Sequence, residues 1–275
     1  MQSIQKWWNR RINRQIFWIL LAGLVFRSVI AWWLPPGFDE AYYYIYTLHS
    51  ALSYFDHPPL VAFTTAIGVW LTGDVSQFTI RIGTLLLFPV TLYFLYRATV
   101  QLFSAQIGVF TLAIASIIPI FQIGFGALTF PDVPLMFFWA LTLWVAACEF
   151  FPKETGSYRP TYRLAVIGAL VGLACLGKYH GFLLGFGLLG FCITSSQHRI
   201  ALRSPWTLLS FLLFIIAFSP ALIWNYQNDW ISFRFQSNRS VPERSYSILN
   251  AIQVALVASL YMFPTLGLPL WAVSL

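Results

Sequence analysis

Apolar runs broken by short polar stretches recur from one end of this chain to the other. The first, residues 16–34, is about as long as a bilayer core demands. Inside hydrocarbon the backbone has no water to bond, so such runs are helices. Hydrophobic residues make up 59% of the 275 residues and charged residues only 9%, which is too apolar for a soluble domain. The expected fold class is all-α: a polytopic membrane protein with about eight transmembrane helices, in a single transmembrane domain covering 1–275. The expected spans are 16–34, 82–96, 107–129, 133–151, 164–177, 181–196, 206–225 and 248–275. Residues 58–72 are short and open on Pro58 and Pro59, so they read as a helix lying at the surface or dipping into it. Arg81 and Arg97 flank the second span and are expected to snorkel to opposite interfaces. The glycines of the fifth and sixth spans suit close helix packing. The loop 226–247 reads as polar and irregular.

Charge placement orients this bundle. The formal net charge is +7, but the basic residues sit beside spans, so nucleic acid is not the expected partner. With the amino terminus inside, the inner segments carry Lys6, Arg10, Arg11, Arg14, Arg97, Lys153, Arg159, Arg163, Arg199 and Arg203, ten of the sixteen basic residues. The outer segments carry Asp39, Glu40, Asp56, Asp74, Asp132, Asp229 and Glu243, seven of the nine acids. This satisfies the positive-inside rule, whereas letting 58–72 cross would turn most later arginines outward. No small-residue cleavage site follows the first run, so it reads as an uncleaved anchor. Cys148, Cys175 and Cys192 lie inside apolar runs and have no metal-ligand spacing.

The outer face then holds most of the chemistry. Residues 38–60, FDEAYYYIYTLHSALSYFDHPPL, place Asp39 and Glu40 side by side just beyond the first span. A carboxylate beside a membrane serves as a general base, a metal ligand or a binding group for a polar substrate. Adjacent side chains on a helix diverge by about 100°. One of the two therefore takes a proton from an incoming hydroxyl, while the other binds substrate or steadies the loop. Asp132 lies between prolines at the tip of the third span and reads both as a site residue and as an N-cap for the fourth. Lys178 and His180 end a short span on the same face; Lys178 is either an interfacial anchor or a cation for a phosphate. Arg27 is costly inside a span unless paired or facing a wet cavity, which makes it a site candidate. His57, in Asp56-His57-Pro58-Pro59, reads as structural rather than catalytic and is carried as a substrate-binding candidate. His198 looks like plain surface. The triplet Asn238-Arg239-Ser240 fits a glycosylation sequon, a weak pattern.

Four stretches together resemble the membrane glycosyltransferases of the GT-C class, in the protein O-mannosyltransferase-like branch, glycosyltransferase family 39 and its bacterial relatives. They are FDEAYYY followed by YFDHPPL, LTFPDVPLMFFW, GLACLGKYHG and WNYQNDWISFRFQ, and their order is the specific part. The resemblance implies an inverting transfer, metal-independent or assisted by a divalent cation. The sugar comes from a polyprenyl-phosphate carrier and goes to a lipid, glycan or protein hydroxyl on the outer face. It places the proposed base on Asp39, the second acidic position on Asp132 and the turn lysine on Lys178. Lys178, with Arg234 or Arg27, is expected to hold the departing lipid phosphate, and Glu40 and His57 to contact substrate. The implied location is a bacterial plasma (inner) membrane, with a cytoplasmic amino terminus. Family members usually continue with more spans, so the chain reads as truncated or minimal at its carboxyl end. The competing class is an outward-facing transporter or lipid flippase, which should show inverted repeats and helices broken near mid-membrane. None is visible in the sequence, and the polar residues gather on one face, which favours an enzyme.

Overall fold

In a computed structural model of the chain, residues 11–153, 156–240 and 247–274 are described. Lys6, Arg10 and Glu243, counted above for orientation, lie outside these residues. Among the described residues every regular element is helical. Among the described residues four stretches are long and apolar enough to cross a membrane: Arg11–Trp33, Thr79–Leu102, Asp132–Phe150 and Pro205–Gln227.

Helix α1 (Arg11–Trp33) is the first expected span, begun earlier. It ends before Leu34-Pro35-Pro36, because proline disfavours the helical region for the residue preceding it. The acidic stretch forms α2 (Phe38–Leu48). Residues 58–72 become α3 (Leu60–Thr72), whose C-cap Gly73 takes the left-handed conformation (φ 68°) that glycine adopts without strain. Its 13 residues rise about 20 Å, short of a ~30 Å core. It is packed into the body rather than laid over it: a Cβ on Gly83 would sit 1.9 Å from the Thr64 carbonyl oxygen.

A 3-10 turn, Thr79–Arg81, leads into α4 (Ile82–Leu102). The third expected span, 107–129, is not one helix. It begins as α5 (Ala105–Ala115) and breaks before a π-type turn, Ile120–Gly124. Pro119 explains the break, since it has no N–H to donate and its ring clashes with the carbonyl four residues earlier. Helix α6 (Asp132–Phe150) follows, then α7 (Arg163–Gly177), α8 (Gly181–Thr194) and α9 (Pro205–Gln227). α7 and α8, with 15 and 14 residues, rise only about 21–23 Å each. α7 is nonetheless the most enclosed helix of the group, gripped by α6, α8 and α9. At Gly168 a Cβ would lie 2.0 Å from the Ser210 carbonyl oxygen, so glycine lets α7 and α9 touch backbone to backbone.

The loop expected at 226–247 contains a helix, α10 (Ile231–Ser240). The turn before it holds Asp229 and Trp230 at φ 53° and 57°, a left-handed conformation rare for a bulky side chain. Trp230 N–H donates to the Asn225 carbonyl (2.7 Å) and Ser232 N–H to Asn225 Oδ1 (3.2 Å), which holds the turn. The eighth expected span is two helices, α11 (Ile248–Tyr261) and α12 (Pro264–Ser274), separated at Phe263 (φ 60°) just before Pro264.

Two expectations about single residues are corrected. Arg81 does not snorkel: its side chain is fully buried. His198 is not surface but 4% exposed, with Nε2 against the Phe150 carbonyl (2.9 Å) and Nδ1 against Ser195 Oγ (2.8 Å).

Sidedness is checked by labelling. Asp74, Asn228 and Ser157 are all exposed. Cysteine at Asp74 or Asn228 is expected to react with an impermeant thiol reagent added outside intact cells, and cysteine at Ser157 only after permeabilisation. Labelling of Ser157→Cys in intact cells would reverse the orientation inferred from charge.

Candidate active site

The site is built around one buried ion pair. Arg81 Nε donates to Glu40 Oε1 (2.8 Å) and Nη2 to Glu40 Oε2 (2.5 Å), the bidentate geometry in which a guanidinium matches a carboxylate. The pair ties four pieces of chain together. Arg81 Nη1 also donates to the carbonyls of Ala31 (2.8 Å) and Leu34 (2.7 Å), satisfying the end of α1. Glu40 accepts from the backbone N–H of Gly37 (3.2 Å), at the start of α2, and of Thr129 (3.0 Å), on the segment leading to α6. Glu40 is 1% exposed. Of the alternatives open for Asp39 and Glu40, Glu40 therefore steadies the loop, and the substrate-contacting role expected of it has no open face to act through.

Because Glu40 is turned inward, its neighbour is turned outward. Asp39, in the first turn of α2, is exposed, and its side chain makes no hydrogen bond or ion pair among the described residues. A carboxylate at a helix N-terminus is favoured by the helix dipole. Thr129, held by Glu40, lies three residues before Asp132, so the same ion pair helps set where that carboxylate stands.

Asp132 does not cap α6 as expected. Pro131 occupies the cap position and Asp132 is the first helical residue. Its two oxygens each lie 2.9 Å from Lys178 Nζ, and both side chains are about one quarter exposed (24%). Lys178 ends α7 in an extended conformation, where the chain turns into α8. His180, two residues on, has its pKa lowered by partial burial and then by the charge of Lys178, with Asp132 acting the other way.

Tyr43 joins the two halves of the site. It projects from α2 and is 5% exposed. Its phenol pKa is raised, first by burial and then by the negative charges of Asp39, Asp56 and Asp132. The phenol thus feels the charge of Asp39 on its own helix and of Asp56 and Asp132 from elsewhere in the chain. Asp56 accepts from the hydroxyls of Tyr46 and Tyr42, the latter at 3.2 Å. Tyr46 stacks on Tyr54 with ring centroids 3.8 Å apart. His57 lies edge-on to Tyr43 (5.6 Å) with Nε2 3.8 Å from Asp56 Oδ2, at the border of this group. Helix α10 closes that side: Gln236 Nε2 donates to the Asp56 carbonyl (2.7 Å) and Ser232 Oγ to the Tyr54 carbonyl (2.9 Å). Arg234, on the same helix, is exposed.

Arg27 stands apart. Its guanidinium is fully buried, donates to Gln122 Oε1 (3.0 Å) and lies 5.0 Å from the centre of the Phe88 ring. It braces the broken third segment, and it has no acidic partner among the described residues. Sequence reasoning missed Tyr43, Asp56 and Arg81 as parts of the site. Tyr43 was hidden among the residues of an ordinary aromatic belt. Arg81 was hidden by its place at the end of a span. Among the described residues no three His, Cys, Asp or Glu side chains gather as a metal site.

The family model for dolichyl-phosphate-mannose-protein mannosyltransferases matches residues 56–224. The match runs from Asp56 to Trp224, in the last turn of α9, and includes Arg81, Asp132 and Lys178. No curated protein and no solved structure shows a significant match.

Proposed function

Since the chain belongs to the dolichyl-phosphate-mannose-protein mannosyltransferase family and is a membrane glycosyltransferase of the GT-C type, we propose that it transfers a sugar from a polyprenyl-phosphate donor to a hydroxyl on the outer membrane face, with inversion. The observation that carries this reading is the ion pair that holds Lys178 on Asp132, with an exposed carboxylate, Asp39, left unbonded among the described residues.

The acceptor hydroxyl attacks the anomeric carbon from the face opposite the phosphate. Asp39 takes the hydroxyl proton as the new C–O bond forms, and the bond from the anomeric carbon to the phosphate oxygen breaks. The lipid phosphate leaves carrying the electron pair. An ammonium has three N–H donors. Two point at the oxygens of Asp132, leaving one for the phosphate. Asp132 in this scheme keeps Lys178 aimed before the donor arrives, which spares reorganisation during the reaction. Arg234 sits on the helix bordering the Asp56 loop and supplies a second cation at the rim. His57 and Tyr43 line the sugar side. Arg27, buried against Gln122, is given no part in holding the phosphate. The acceptor is a lipid, glycan or protein hydroxyl, the membrane is a bacterial plasma (inner) membrane, and the charge asymmetry supports a cytoplasmic amino terminus.

Lys178→Ala is expected to lower turnover with a labelled polyprenyl-phosphate sugar far more than it weakens donor binding. The reason is that its contact strengthens as the phosphate departs. Lys178→Arg should recover only part of the rate, because a planar guanidinium does not replace a compact ammonium against Asp132. Unchanged kinetics for Lys178→Ala would remove the leaving-group role and leave Lys178 as an anchor.

A further inference from the structure

Helices α8 and α9 both pack on α7 but meet each other mainly at one end. There Phe182 lies against Phe214 and Phe218, with ring centroids 5.9 and 5.2 Å apart. Beyond that contact a cavity of about 380 Å³ opens between them. Its walls are almost wholly apolar, with Ile167 and Val171 at the back and Leu189, Cys192 and Phe211 along the sides. Leu189 and Phe211 are well exposed, so the slot opens sideways, toward where lipid chains would lie. Its size is that of a ligand site.

The slot's far end is basic. The 3-10 turn Arg199–Arg203 closes it, with Ala201 and Leu202 in its lining. Arg163 adjoins Leu164, another lining residue. Arg199 Nε and Nη2 reach the Ile193 carbonyl (3.1 and 2.9 Å) at the end of α8, and Arg203 is exposed. Among the described residues Glu149 is the one acid at this end, and it is buried and bonded to Tyr158 and Thr161. Basic pockets between membrane helices bind anionic headgroups.

We infer that this slot holds one acyl chain of an anionic phospholipid drawn from the leaflet opposite Asp39 and Lys178, with the headgroup phosphate at Arg199 and Arg203. The slot and its basic end stand apart from the transfer reaction, but the choice of occupant rests on the proposed place of the donor phosphate at Lys178. The donor's own tail is the poorer occupant. Its phosphate would lie at Lys178, at the other end, where Phe182 and Phe214 line the slot and pack with Phe218, which in turn meets Tyr179 beside Lys178.

The full chain, delipidated in uncharged detergent, is offered phosphatidylglycerol or phosphatidylcholine with matched acyl chains, and retained lipid is counted by native mass spectrometry. Phosphatidylglycerol should be retained in preference. Combining Arg199→Gln with Arg203→Gln should weaken its retention by roughly fivefold per arginine and leave phosphatidylcholine unchanged. Leu189→Trp should fill the slot and reduce both lipids, while Leu189→Ala, which only enlarges it, should keep the preference and control for folding. Equal retention of the two lipids by the unaltered chain would overturn the charge argument. Undiminished phosphatidylglycerol binding by Leu189→Trp would move the lipid elsewhere. If polyprenyl phosphate displaces phosphatidylglycerol and is itself excluded by Leu189→Trp, the slot belongs to the donor and the inference is wrong.

Discussion

Asp39→Asn is expected to lower single-turnover sugar transfer by about 10²–10⁴-fold, the usual loss when a general base is removed. Asn has nearly the shape of Asp and still forms hydrogen bonds, but takes no proton at neutral pH. The structure makes this substitution unusually clean. Asp39 is exposed and has no side-chain bond or ion pair to lose among the described residues, so folding should be spared. Donor binding, measured separately with a labelled polyprenyl-phosphate sugar, should be close to that of the unaltered chain. Asp132→Asn should behave differently, because it weakens the hold on Lys178 and so affects the leaving group rather than the base. Near-normal transfer by Asp39→Asn would assign proton removal to another group, and Asp56, the other carboxylate near Tyr43 without a lysine partner, would be the next one tested.

Arg81→Leu carries the largest expected loss of stability, about 3–5 kcal/mol, because it leaves the buried Glu40 carboxylate without its cation. It also strips the carbonyls of Ala31 and Leu34 of their donor. Replacing both partners, Glu40→Gln with Arg81→Met, should cost much less than Arg81→Leu alone, since no uncompensated charge remains. Thermal unfolding in detergent, followed by circular dichroism, compares the three proteins. An unchanged melting temperature for Arg81→Leu would mean that the pair does not hold the bundle together. If the double variant melts normally yet transfers sugar slowly, the pair's main task is to place Asp39 and Asp132.

This pair marks what one dimension of sequence leaves out. The helices were legible because burial in a membrane leaves the backbone one solution, and long apolar runs announce it. The breaks were less legible. Pro119 and Pro264 stood in plain view, but a proline inside an apolar run either kinks a helix or ends it, and neighbouring helices decide which. Helix α10 reads as loop in the sequence because ISFRFQSNRS has little apolar periodicity. Its position comes from Asn225, Gln236 and Ser232, which bond across it.

The sequence by itself determined that this is a helical membrane protein, and it offered a charge asymmetry between inter-span segments and a few short motifs as the candidates for orientation and chemistry. Those are properties of composition and order along the chain, and they need no contacts to be read. Only the tertiary structure decided which members of these motifs are buried and which are exposed. Asp39 and Glu40 are adjacent in sequence and equal in chemistry. One is exposed and the other buried because Arg81, forty-one residues away, is folded against one face of α2. Lys178 is a candidate phosphate cation in the sequence. The fold brings it onto Asp132, forty-six positions earlier in the chain, and in the proposed mechanism that contact aims its remaining donor. Charge pairs across such separations depend on how helices pack, and packing is fixed by where glycine lets backbones meet and where a buried charge must find its partner.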